Sequence, residues 1–130
     1  MYLVDTSVLI DFFKGKDTKQ TQKLEKIILH QIPFGISAFT YQELLQGAKD
    51  KKEFDKLKKY LSTQKIYYPN NNSFENAAEI FFKCRKSGIT IRSSIDVLIA
   101  TTAIENGLTL LTSDKDFIFM KKVIDLEIEQ

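Results

Sequence analysis

Five short apolar runs, each separated from the next by at least one stretch of helical periodicity, constrain this chain more than any other feature. They cover residues 1–4, 33–37, 65–68, 108–112 and 123–126, and the first ends directly at Asp5. Uninterrupted β-prone runs of this kind suit strands covered on both faces, as in parallel sheets. Between them, helices are predicted over 6–14, stopped by Gly15, and over 18–30, where Leu24, Ile27 and Ile28 recur at helical spacing. Two more are predicted over 40–46, ended by Gly47, and over 50–61, where Phe54, Leu57 and Leu61 share one face. The cluster Asn70-Asn71-Asn72-Ser73 opens a helix to about Lys86, Ser93 opens another that Asn106-Gly107 ends, and residues 114–120 form a short one. Strands alternating with helices need crossover connections, so the expected fold is α/β, with a mostly parallel central sheet and helices on its faces.

The length of 130 residues, with 43% hydrophobic and 28% charged side chains, suits one globular unit with its own core. No repeat, low-complexity stretch or linker divides it, so a single domain is expected over residues 1–130. Cys84 is the only cysteine and His30 the only histidine. That excludes a disulfide scaffold, a typical zinc site and paired-histidine acid–base chemistry. Polar chemistry is left to carboxylates, hydroxyls, lysines and arginines. Asp5 and Asp11 interrupt the apolar N-terminus and no basic region precedes it, so no signal peptide is expected. No apolar run approaches the ~20 residues needed to cross a bilayer. The expected location is therefore intracellular, in the cytoplasm, with no membrane partner. The net charge of +2 is too small to argue for or against nucleic acid.

In open parallel sheets, ligands bind outside the carboxyl ends of the strands. Asp5 follows the first strand, Glu43 lies one turn into the helix after the second, Asp114 and Asp116 follow the fourth, and Asp96 sits in the first turn of the helix that Ser93 opens. Each has a plain structural explanation. Asp5 and Asp114 can cap the helices that follow them, with Thr6, Ser7 and Ser113 as rivals, and Thr40–Glu43 and Ser93–Asp96 are spaced as capping boxes. The group implies more. Two unit charges about 4 Å apart repel by ~4 kcal/mol at an effective dielectric of about 20, so four converging carboxylates must take up protons or hold a cation. All-oxygen ligands favour Mg²⁺, Mn²⁺ or Ca²⁺, and Mg²⁺ commonly completes its shell with water and substrate phosphate. An acidic, histidine-free site of this kind suits phosphodiester hydrolysis by metal-activated water.

Four segments carry a resemblance: Val4-Asp5-Thr6-Ser7-Val8-Leu9-Ile10-Asp11; Ile36-Ser37 with Thr40, Glu43-Leu44 and Gly47; Asp96-Val97-Leu98-Ile99-Ala100 with Ala103 and Gly107; and Leu110-Leu111-Thr112-Ser113-Asp114-Lys115-Asp116-Phe117. In this order and at these separations the chain resembles the PIN-domain ribonucleases, specifically the VapC-type toxins of type II toxin–antitoxin pairs. The resemblance implies a three-layer α/β/α sandwich and a Mg²⁺- or Mn²⁺-dependent endoribonuclease acting on RNA, commonly structured tRNA or rRNA. It also implies a homodimer and a cognate antitoxin that blocks the acidic pocket. Carried over position by position, it makes Asp5, Glu43, Asp96 and Asp114 the acidic quartet, with Asp5 and Asp96 as principal metal ligands. Glu43 and Asp114 complete the pocket and orient the attacking water. Thr6 and Thr112 support it through their hydroxyls, and Asp116 either assists the metal or caps the helix.

Arg92, in the loop before Asp96, is the candidate for steering RNA phosphate toward the metal. The lysines between Lys49 and Lys59 alternate with Asp50, Glu53 and Asp55, which suits a solvated amphipathic helix or, alternatively, a phosphate-contacting face. Of the aromatics, Phe12, Phe13, Phe39 and Tyr41 are candidates for a dimer or antitoxin surface. The competing functions are a structure-selective DNA nuclease of the same superfamily, a phosphatase, and a non-catalytic binding module whose carboxylates only cap helices. A phosphoryl-accepting receiver would need its phosphoacceptor at the third strand, where Tyr67-Tyr68-Pro69 stand instead.

Overall fold

A computed structural model describes residues 1–129. In chain order the elements are β1 (Tyr2–Val4), α1 (Thr6–Phe13), α2 (Lys19–Leu29), β2 (Phe34–Ser37), α3 (Ala38–Gln46), α4 (Lys51–Leu61), β3 (Lys65–Tyr67), α5 (Ser73–Lys86), α6 (Ser94–Glu105), β4 (Thr109–Leu111) and α7 (Lys115–Lys121). The strands form one sheet in the order β3-β2-β1-β4, with every pair parallel. Leu3 stands beside Leu110 and Ile36 beside Ile66.

Successive strand residues point to opposite faces, and this divides the core in two. Leu3 and Leu110 face α5, α6 and α7, where they meet Ile80, Cys84, Val97, Ala100, Phe117 and Met120. Val4 and Leu111, one residue on, face α1–α4 with Ile36, Val8, Leu24, Ile27, Leu44 and Leu61. The result is the expected three-layer α/β/α sandwich. Gly35 is fixed by close approach: a Cβ there would lie 2.6 Å from the Tyr67 ring and 2.7 Å from the Lys65 carbonyl oxygen.

Two local expectations are corrected. Residues 123–126 form no strand: the Val123 and Ile124 amides both donate to the Met120 carbonyl, at 3.0 and 3.1 Å, finishing α7 as a turn. Pairing with β4 comes later, as a parallel bridge between Leu110 and Ile128. The period-two alternation of buried Leu126 and Ile128 with Glu127 and Glu129 marked that edge better than the continuous apolar run did. Glu129 ties this edge to β1 by accepting the Tyr2 hydroxyl at 2.7 Å. Helix α3 also starts two residues earlier than its spacing predicts, because the Ser37 hydroxyl caps it by accepting the Thr40 amide at 3.0 Å.

Candidate active site

The chain visits β1, β2 and β3 in one direction across the sheet, then crosses over to place β4 on the far side of β1. The switch point between β1 and β4 is where open α/β sheets form ligand crevices, and Asp5 and Thr112 leave the two strands there.

Asp5 is 4% exposed. Its Oδ2 accepts the Ser7 hydroxyl at 2.6 Å, the Thr112 hydroxyl at 2.9 Å and, as the cap of α1, the Ser7 amide at 3.4 Å. The same Thr112 oxygen accepts the Asp114 amide at 3.0 Å, and the Ser7 hydroxyl oxygen accepts the Ser113 amide at 3.2 Å. The loops that follow β1 and β4 are thus stitched together. Burial pushes the Asp5 carboxyl above its ordinary value, although the hydrogen bonds from Ser7 and Thr112 pull it the other way.

Glu43 projects from within α3 rather than from its cap, and its Oε1 accepts the Thr6 hydroxyl at 2.7 Å. Thr6 Oγ1 also lies 3.0 Å from the buried Thr40 hydroxyl, which is 3.2 Å from that of Ser37. Asp114 caps α7 by accepting the Asp116 amide at 2.9 Å. Ser93 makes no side-chain cap bond at α6, so the spacing that suggested a capping box around Asp96 is not used as one. Capping therefore accounts for Asp5 and Asp114 and leaves Glu43 and Asp96 unexplained.

Asp96 is the electrostatic centre. Its carboxyl is pushed up to about 7, first by burial and then by repulsion from Asp114, Asp5, Asp116 and Glu43. One oxygen each from Asp96, Asp114 and Asp116 lie within 4.8 Å of one another. Of the acidic residues named from the sequence, Asp96, Asp114 and Asp116 form this close group, and Asp5 and Glu43 stand near enough for their charges to act on Asp96. Oxygen-only donors packed closely enough to hold a proton near neutrality fit a hard divalent cation.

Arg92 stands at the rim. Its Nε and Nη2 donate to the two oxygens of Asp116 at 3.2 and 2.9 Å, a bidentate pair. The lysines between Lys49 and Lys59 lie earlier in the chain, in and just before α4, and two of them pair one turn on, Lys49 with Glu53 at 3.8 Å and Lys51 with Asp55 at 3.0 Å.

The PIN-domain family model matches residues 2–123. The chain belongs to this family. A VapC ribonuclease of Mycobacterium bovis and ribonuclease VapC11 of Mycobacterium tuberculosis are each 25% identical over 129 residues, covering 98% of this chain and 96% of theirs. The PIN fold is shared with a chain of VapBC2 from Rickettsia felis bound to a promoter DNA fragment (TM-score 0.78, 23% identity, 98% and 96% of the two chains). It is shared equally with a chain of VapBC-1 from nontypeable Haemophilus influenzae (TM-score 0.79, 21% identity, 99% and 96%).

Three residues of this PIN pocket escaped sequence reasoning as site residues. Ser7 appeared there as a rival cap and as a letter of the first matching segment, without a role in the site, yet its hydroxyl carries the shortest hydrogen bond to Asp5. Ser37, the last residue of β2, and Thr40 lie in the second matching segment and back up Thr6. The available signal was the clustering of hydroxyl residues around the strand ends at the pocket: Thr6-Ser7 after β1, Ser37 and Thr40 around the end of β2, and Thr112-Ser113 after β4.

Proposed function

We propose that this PIN-domain chain is a Mg²⁺- or Mn²⁺-dependent endoribonuclease and the toxin of a type II toxin–antitoxin pair, hydrolysing phosphodiester bonds of structured tRNA or rRNA. The carrying observation is the pocket of oxygen donors in which Asp96, Asp114 and Asp116 place oxygens within 4.8 Å of one another, with the Asp96 carboxyl pushed up to about 7 by burial and then by the carboxylates around it. The names of the VapC relatives, which are ribonucleases, support the choice of RNA.

In this reading Asp5 and Asp96 hold the ion. A bound divalent ion would polarise water for attack on phosphorus and offset charge on the leaving oxygen. The protein supplies orientation. Ser7 and Thr112 fix the Asp5 carboxylate from two sides. Thr6 holds one oxygen of Glu43, so that the other can accept a proton or a water hydrogen. Asp114, pinned by its bond to the Asp116 amide, faces Asp96 across the pocket. Arg92 is the candidate for drawing a backbone phosphate to the rim.

Two surfaces support the partner readings. An apolar cleft of about 340 Å³ between α5 and α6, with Phe74 exposed at its edge, suits a homodimer contact. Exposed Phe13, packed edge-on against Tyr60 at 5.7 Å, offers a separate apolar patch for an antitoxin. Phe12, Phe39 and Tyr41 are partly buried against the two cores. Solved neighbours include a toxin–antitoxin complex from Klebsiella pneumoniae, 25% identical with a TM-score of 0.69 over 90% of each chain.

The deciding experiment compares the purified chain on RNA, on single- and double-stranded DNA and on small phosphate esters, with Mn²⁺ and with EDTA. Endonucleolytic cleavage of RNA alone, abolished by EDTA, is expected. Preferential DNA cleavage or phosphatase activity would transfer the site to one of the rival enzymes, and full activity in EDTA would remove the metal from the proposal.

A further inference from the structure

Asp116 and Arg92 form a pair in which only one partner is free to leave. The Asp116 side chain is 8% exposed and the Arg92 side chain 74% exposed, although both Asp116 oxygens are engaged by the guanidinium. Asp116 is held from behind, since it belongs to the first turn of α7 and its amide is bound to Asp114. Arg92 is attached through a loop and reaches in from solvent. Yet Asp116 has an oxygen within 4.8 Å of oxygens of Asp96 and Asp114, close enough for the three carboxylates to share a cation.

Resting on the reading of this pocket as a metal centre, we propose that Arg92 is a removable counter-charge that withholds Asp116 from the divalent ion. A carboxylate with both oxygens in a guanidinium fork keeps spare lone pairs, but a cation placed on them would sit against the fixed positive charge of the arginine. The pocket therefore binds its ion with fewer carboxylates than it contains. Arg92 thus acts through Asp116 as a positioning residue, and the coordination capacity of the site depends on where the guanidinium is. Ion affinity in carboxylate sites follows the charge count of the ligands, so releasing Asp116 strengthens binding or admits a further ion.

The test is calorimetric titration of the full chain with Mn²⁺ at pH 7.5. Arg92→Gln is expected to bind Mn²⁺ about tenfold more tightly than the unsubstituted chain, or to take up one more ion. The double substitution Arg92→Gln, Asp116→Asn removes the pair without changing net charge and is expected to match the unsubstituted chain within about twofold. Circular dichroism on each variant reports folding. Should Arg92→Gln fail to fold, the double variant still decides, because weakened Mn²⁺ binding by it would show that Asp116 is a ligand with Arg92 in place. An unchanged Arg92→Gln titration overturns the proposal, as does a gain that persists in the double variant, since that gain would come from the general field of the arginine. Absence of Mn²⁺ binding by every variant overturns the metal-centre reading itself, and this inference with it.

Discussion

The Thr112 hydroxyl donates to Asp5 at 2.9 Å, joining two loops 107 residues apart in the chain, and the same oxygen accepts the Asp114 amide. One side chain thereby sets the position of two pocket carboxylates. Thr112→Val keeps the shape and removes both bonds, leaving the buried Asp5 carboxylate short of a donor and the Asp114 amide without its acceptor. The expected loss of stability is about 1–3 kcal/mol, the cost of unsatisfied buried polar groups, with Thr112→Ser close to the unsubstituted chain. Urea unfolding of the three proteins measures it.

The pocket makes the metal-free chain acid-stabilised. The Asp96 carboxyl is raised from 3.8 to about 7, and Asp5 is raised as well. Between those pH values the folded chain binds more protons than the unfolded chain, so stability falls as pH rises. The contribution is fully present below pH 3.8 and is lost through about pH 7. Melting temperatures in EDTA are expected to decline across this window as the pocket ionises, and Asp96→Asn is expected to flatten the decline. With Mn²⁺ present the trend is expected to reverse, because an ion held by the ionised pocket would stabilise the folded state by mass action. A melting temperature in EDTA that climbs steadily from pH 4 to pH 7 would contradict the electrostatics.

The same substitutions separate stability from catalysis. Asp96→Asn is expected to lower RNA cleavage by at least about 10²–10³-fold, the scale of losing one group that stabilises transition-state charge, while raising the melting temperature in EDTA at pH 7.5. Asp5→Asn is expected to lower cleavage similarly, but to gain less stability, because Asp5 already receives hydroxyl bonds from Ser7 and Thr112. Cleavage assays and thermal unfolding on the same preparations check both halves. Loss of both activity and fold would count against a role confined to the pocket.

How far the site could be read from the letters follows from the range of each interaction. The alternation of Leu3 with Val4 and of Leu110 with Leu111 carries the two-faced sheet in the sequence itself, and crossover connections then force the strands parallel. Parallel strands share one carboxyl edge, so the carboxylates after them are brought near one another by topology alone. Their partners are another matter. Whether Ser7 or Thr6 reaches Asp5 depends on which way the first turn of α1 points its hydroxyls. Glu43 turned to Thr6 once Ser37 had taken the capping role that its spacing offered to Thr40. The grip of Arg92 on Asp116 spans a loop and a helix end whose meeting no local pattern encodes. Residues 123–126 went the other way: a strong apolar run was spent on the turn that closes α7, and the weaker alternation beyond it supplied the edge pairing.

Gly35 gives a prediction about how the sheet supports the site. It sits in β2 beside Lys65 of β3, and two residues before the Ser37 cap that sets the start of α3 and so the placement of Glu43. A Cβ at this position would lie 2.6 Å from Cε2 of Tyr67 and 2.7 Å from the Lys65 carbonyl oxygen. The ring can turn away, but the carbonyl belongs to the β2–β3 ladder and can move only with the strand. Gly35→Ala is therefore expected to cost about 1–3 kcal/mol, as overpacking does. Adding Tyr67→Ala is expected to return only part of that loss, because the backbone clash survives removal of the ring. Full recovery in the double variant, measured by chemical unfolding, would place the whole conflict on the ring and leave the strand spacing uninvolved. RNA cleavage by Gly35→Ala, assayed well below its melting temperature, is expected to fall as well, since a displaced β2 carries Ser37 and α3, and with them Glu43, away from Thr6.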